Sequence, residues 1–175
     1  MYIYAAPIQY KTENGYVLID NTIIKSDKDD YAFENKTGIV KTYFHKTLSG
    51  MFRVEKGVDY LEFKPDWNVN GFSKASQNDF INMYGDKVNA VIYESTNMNL
   101  VFYSTRAGIK VEILLKDKPN SNKFVFKVTT NSMIFNNKQN GYISLMSGGE
   151  NKSIIYQPLV QYSTVAGQQL DLNTQ

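Results

Sequence analysis

The chain has 175 residues, of which 42% are apolar and 21% charged, with a formal charge of +2. A chain of this length and apolarity makes one ordinary domain or two small lobes on a shared core. It buries about 70% of its unfolded surface, so it needs no disulfide or metal to fold. The absence of cysteine excludes disulfide frameworks, thiolate metal sites and cysteine nucleophiles. The small, evenly spread charge argues against nucleic-acid binding, and no run of about 18 apolar residues exists to span a membrane as a helix.

The aromatic share is 14%, which favours strands, because flat rings pack well on a half-buried pleated surface. Met1 leads directly into Tyr2-Ile3-Tyr4, without the basic start and apolar stretch of a signal peptide. The expectation is therefore a cytosolic protein or a segment of a longer secreted chain. Tyr2 to Tyr10 reads as a strand interrupted by Pro7. Asn14-Gly15 is a strong hairpin signal, and Tyr16 to Ile19 returns as the second arm. Asp20-Asn21 ends that strand, and Ser26 to Asp30 reads as a charged loop. From Ile39 to His45 the chain alternates, with Lys41, Tyr43 and His45 on one face and Thr42 and Phe44 on the other. Ser49-Gly50 is a turn. Met51 to Val54 and Val58 to Phe63 make a hairpin around Lys56-Gly57.

The stretch from Lys64 to Asp86 differs, with Pro65, Gly71, Gly85 and many Asn and Ser. It reads as a long loop with one helical turn near Gln77 to Tyr84, and a loop of that length usually has a function or its own packing. Strands follow at Val88 to Tyr93, Leu100 to Ser104, Ile109 to Leu115 and Phe124 to Thr129. Shorter ones are expected at Met133 to Phe135, Tyr142 to Met146, Ser153 to Tyr156 and Leu159 to Tyr162, separated by Asn140-Gly141 and Gly148-Gly149. About a dozen short strands with turns between them predict an all-β antiparallel β-sandwich with little helix. The expected organisation is one domain over residues 1–165 with a tail at 166–175. The alternative is a pair of lobes, 1–66 and 87–165, joined by a loop over 67–86.

Few residues offer chemistry. His45 is the only histidine, and nothing near it in sequence supplies a nucleophile or a second metal ligand. Paired carboxylates would suffice for a glycosidase, with Asp59, Glu62, Glu94 and Glu112 as candidates, but most strand carboxylates simply face solvent. Asp27, Asp29 and Asp30 lack the spacing of a calcium loop. Trp67, with Phe72 and Tyr84, is the sharpest binding candidate. Loop aromatics stack on sugar rings, and the flanking Asp66 and Asn68 suit hydroxyl groups. The plainer role for a lone tryptophan is to plug one end of a sandwich core.

Three stretches together carry a family resemblance. They are Tyr4 to Ile23 around Ala6-Pro7-Ile8-Gln9-Tyr10 and Asp20-Asn21-Thr22, Tyr31 to Lys36, and Val91 to Val128 with Leu100 to Tyr103, Gly108 to Leu115 and Lys118 to Phe126. Tyr156 to Tyr162 resembles a closing strand. The pattern is similar to the N-terminal β module of bacterial Rhs/YD-repeat, wall-associated and DNRLRE-type cell-surface proteins. Val17 stands where that pattern has tryptophan, and Val111 where it has lysine. The resemblance implies a non-catalytic structural or assembly module of a larger secreted or cell-surface protein, with no cofactor and no bound metal. Its partner would be the rest of the parent polypeptide or a cell-wall glycan. The competing expectation is a carbohydrate-binding module using Trp67, Phe72 and Tyr84.

Overall fold

The computed structural model describes residues 8–119, 121, 123–131, 133–137, 143–147 and 150–155. The strands expected around Tyr2 and over Leu159 to Tyr162 lie outside these residues. So do the Asn140-Gly141 and Gly148-Gly149 turns and the tail. Among the described residues the fold is all-β, an antiparallel sandwich without helix. The chain forms two compact units, Met1–Asn131 and Ser132–Gln175.

In the first unit β1 (Gln9–Thr12) and β2 (Gly15–Leu18) form the expected hairpin, with Gly15 at positive φ in the turn. A six-stranded sheet follows. It is built from β3 (Asp20–Lys25), β4 (Tyr31–Thr37), β5 (Lys41–His45), β6 (Phe52–Lys56) and β7 (Asp59–Pro65). The chain then leaves this sheet to make a four-stranded one from β8 (Ser76–Ile81), β9 (Lys87–Glu94), β10 (Met98–Thr105) and β11 (Gly108–Leu115). It returns with β12 (Phe126–Thr130) at the edge of the first sheet, beside β7. In the second unit β13 (Ile134–Asn137), β14 (Ile143–Ser147) and β15 (Glu150–Ile155) form an antiparallel meander.

Two local readings change, and one strand is found where none was read. Asp20-Asn21 does not end a strand. The Asp20 carboxylate accepts the Thr22 N–H at 3.0 Å, and this Asx turn produces a bulge at the start of β3. Tyr31–Thr37 is a full strand, closed onto β5 by fully buried Asn35. Its side chain donates to the Val40 carbonyl and accepts from the Thr42 N–H. The helical turn expected near Gln77 to Tyr84 is instead β8, paired with β9 from Ser76 to Ile81. Polar residues along β8 hid it, because an edge strand with one solvated face shows little hydrophobic signal.

The two sheets meet through their alternating inner faces. Phe52 and Phe63 from one pack on Tyr93, Leu100 and Phe102 from the other, with Phe44, Leu48, Ile23 and Val91. Phe52 stacks on Phe102 at 4.3 Å and takes the edge of Tyr93 at 5.7 Å. Residues that alternate with these point outward, as period two requires. On the six-stranded sheet the outward set is Tyr43, Arg53, Glu55, Tyr60 and Glu62. On the four-stranded sheet it is Ala90, Val101, Tyr103 and Glu112, which are nonetheless buried, the first three as a second apolar cluster on that face.

Candidate functional site

Three connections converge at one end of the sandwich. The first leaves β7 at Pro65, and the Asp66 N–H donates to the Val125 carbonyl at 2.8 Å, which zips it to the lead-in of β12. This places Trp67 edge-on against Phe124 at 5.5 Å and Phe126 at 5.1 Å. An Asx turn, Asn70 N–H to Asn68 Oδ1 at 2.9 Å, and the positive φ of Gly71 then fold the chain back. Ser73 ties the loop to Glu94 in both directions, at 2.8 and 3.0 Å. The second connection is the β9–β10 turn, in which Ser95 bonds Met98. The third runs from β11 to β12 and is tied to the second by the Lys116 N–H on the Asn97 carbonyl at 2.8 Å.

Between these loops lie two open grooves. One, of about 330 Å³, is bounded by Trp67, Asn68, Asn97, Met98, Lys118 and Lys123 among others. The other, of about 220 Å³, shares Asn68, Asn97 and Met98 and ends on Phe72. Trp67 and Phe72 thus come together at one end, both packed on the core. The indole Nε1 is sheltered from solvent and has no hydrogen-bond partner among the described residues. Its burial beside two phenylalanines means that much of this ring serves as packing, and what remains open is its groove wall.

Tyr84 lies elsewhere. It sits in the β8–β9 turn, 62% exposed, with the Lys110 ammonium 3.8 Å over its ring. Lys110 pairs with Tyr103, whereas Met98, at the grooves, is five residues earlier on β10. At about 3.4 Å per residue that is roughly 17 Å along the strand. The turn carrying Tyr84 crosses the outer face of the four-stranded sheet, where the Met83 N–H reaches Glu112 at 3.4 Å.

Two of the carboxylates weighed for catalysis, Glu62 and Glu112, are separated and engaged. Glu112 lies on β11 and accepts the Tyr103 hydroxyl at 2.7 Å in a buried pair. Burial, then the hydrogen bond and charge of Glu112, push the Tyr103 phenol above its ordinary range. Glu62 is on β7 in the other sheet, bonded to Arg53 at 3.1 Å. Arg53 also holds Glu55 at 2.8 Å, Glu55 accepts the Tyr43 hydroxyl at 2.7 Å, and Lys28 stands 3.8 Å over the Tyr43 ring. Burial alone would raise the Glu55 pKa. The hydrogen bonds from Tyr43 and Arg53 and the charge of Lys28 outweigh it and hold the carboxyl below its ordinary value. His45 uses Nδ1 to accept the Thr47 N–H at 3.1 Å, which shapes its own turn. Among the described residues no cluster of three or more His, Asp or Glu could hold a metal ion.

Asn97, Met98, Lys118 and Lys123 were not foreseen as groove residues. They come from two connections far apart in sequence, and no local pattern links them. No protein-family profile matches the chain, and no curated protein or solved structure shows significant similarity to it.

Proposed function

We propose that this chain is a non-catalytic structural module of a larger secreted or cell-surface bacterial protein, of the kind the Rhs/YD-repeat resemblance implies. The observation that supports this most is how the acidic residues are used. Glu62 and Glu112, two of the four carboxylates weighed for a hydrolase, stand on different sheets, each bonded to a neighbour on its own sheet. Both side chains are spent on tying neighbouring strands together, as suits an assembly domain. An antibody against the module, used on the producing organism, tests the reading. The epitope is expected on a polypeptide several times the mass of this chain, in the surface or secreted fraction, and removed by protease treatment of intact cells. A band of the chain's own mass inside the cell would refute it.

A second reading, a carbohydrate-binding module, is favoured by the paired grooves between Trp67 and Phe72. Amides of Asn68 and Asn97 on an aromatic-walled groove match the mixed polar and flat surface of a sugar.

A further inference from the structure

Some lysines of the described residues are held in ion pairs and others, Lys25, Lys56 and Lys74 among them, are not; what sets two of the unpaired ones apart is that they line a groove. Lys28, Lys36, Lys41, Arg53 and Lys87 each have a carboxylate within ion-pair distance. Lys118 and Lys123, which line the larger groove, have none among the described residues, although Asp117 shares the same wall. Both are exposed. The Lys116 ammonium beside them donates to the Ser95 carbonyl at 2.7 Å and has no carboxylate partner among the described residues. The strip continues along the β7–β12 ladder. There Lys64 and Lys127 are direct cross-strand partners, an arrangement that costs stability unless something negative relieves it. Lys64 is three residues from Trp67, and Lys127 is three from Phe124.

The uncharged part of the groove suits a polyol. Asn68 uses its Oδ1 on the Asn70 N–H, which leaves its amide NH₂ to donate. The Asn97 side chain makes no hydrogen bond with the described residues, so it offers both a donor and an acceptor. Met98, with the walls of Trp67 and Phe72, supplies the apolar floor. Amide groups and ring faces recognise hydroxylated chains. Unpaired ammonium groups on the same wall recognise an acid attached to them.

From this we infer that the groove takes an acidic glycan or polyol polymer, one bearing a carboxylate or phosphate on each repeating unit. The anion lies between Lys118 and Lys123, and the hydroxylated backbone lies against Asn68, Asn97 and Met98. The inference rests on the carbohydrate-binding reading and narrows it to the charged class.

The test is equilibrium binding of the whole chain to polygalacturonate, to its fully methyl-esterified form, and to poly(glycerol phosphate), at low and physiological salt. The ester keeps the backbone and removes the charge. Binding to an acidic polymer about tenfold tighter than to the ester is expected. The Lys118→Gln/Lys123→Gln double variant should lose about tenfold of that binding. A Lys25→Gln/Lys56→Gln control, which removes the same charge far from the groove, should not. Whichever acidic polymer binds more tightly identifies the anion as carboxylate or phosphate. Equal binding of acid and ester, both lost in Asn97→Ala, would overturn the acidic class and leave the sugar-binding reading standing. Equal loss in the control variant would reduce the effect to nonspecific charge and overturn the site. No binding of any polymer would overturn both.

Discussion

Gly50 makes a sharp test of how the six-stranded sheet is locked. It follows the turn after β5, where its N–H donates to the Thr47 carbonyl at 3.3 Å. A Cβ added at Gly50 would fall well inside van der Waals contact with Cγ, Nδ1 and Cδ2 of His45. Those atoms lie at the base of the ring, so no small rotation of a flexible tip relieves the clash. The imidazole must swing away as a unit. That breaks the Thr47 N–H bond to Nδ1 at 3.1 Å, costing about 0.5–1.5 kcal/mol. It also removes the edge-on contact with Tyr31 at 6.3 Å, a further ~0.5–1.5 kcal/mol, and strains the rotamer by a similar amount. Replacing glycine lowers the entropy of the unfolded chain and returns about 0.4–1 kcal/mol. Gly50→Ala should therefore destabilise the protein by about 2 kcal/mol, lowering Tm by roughly 4–8 °C. The assay is a double-mutant cycle by thermal and urea unfolding with His45→Ala. The coupling should approach the full ~2 kcal/mol, because the three atoms nearest the added Cβ all belong to the ring. If Gly50→Ala costs as much in the His45→Ala background, the clash is not the cause.

Phe52→Ala should cost about 3–5 kcal/mol, since the ring is fully buried and touches Phe63, Tyr93 and Phe102 together; a change in urea midpoint worth under about 1 kcal/mol would contradict the core described. Glu112→Gln should be tolerated, because the amide oxygen still accepts from Tyr103 and Met83. Glu112→Ala should cost about 1–3 kcal/mol by stranding the buried Tyr103 hydroxyl, and equal unfolding midpoints for the two variants would refute that role. Acid should weaken the fold through Asp20 and Glu55. Hydrogen bonds from the Thr22 side chain and backbone, with Lys36 beside them, lower Asp20 from 3.8 to about 2, and Glu55 is lowered as well. A depressed carboxylate stabilises above its unfolded pKa and loses that contribution as pH falls through its folded one. The Asp20 share should therefore vanish between pH of about 4 and about 2. About a third of the Asp20 side chain is exposed, 34%, and its ion pair with Lys36 is screened, so its share is under about 1 kcal/mol. Asp20→Asn should flatten this limb of the urea midpoint against pH, and an unchanged slope would count against the reading.

Much of the fold was legible in local pattern. The alternation from Lys41 to His45 sent Thr42 and Phe44 inward and Tyr43 outward, and Asn14-Gly15 and Lys56-Gly57 marked hairpins that form. Period-two alternation is a property of a single strand, so it survives without knowledge of the neighbours. It failed for β8 and β4, whose polar faces mask the period. It also failed at Asp20, where an Asx turn starts a bulge instead of ending a strand.

The candidate site was legible only in part. Trp67 and Phe72 were visible as aromatics in a loop with unusual composition, and that loop does close one end of the core. Their separation from Tyr84 was not visible, because it depends on β8 running to the opposite end of the four-stranded sheet before the turn.

By itself, then, the sequence determined the class of fold, most strand positions and the absence of thiol chemistry, since composition and period are local quantities. Tertiary structure alone decided that β12 returns to pair with β7 across the whole four-stranded sheet. It also decided that Glu62 and Glu112 stand on different sheets, and that unpaired lysines gather beside Trp67. Alternation says which face a side chain takes but not which strand lies next to it. Strand pairing is set by packing two faces into one core, and through it the placement of every loop residue follows.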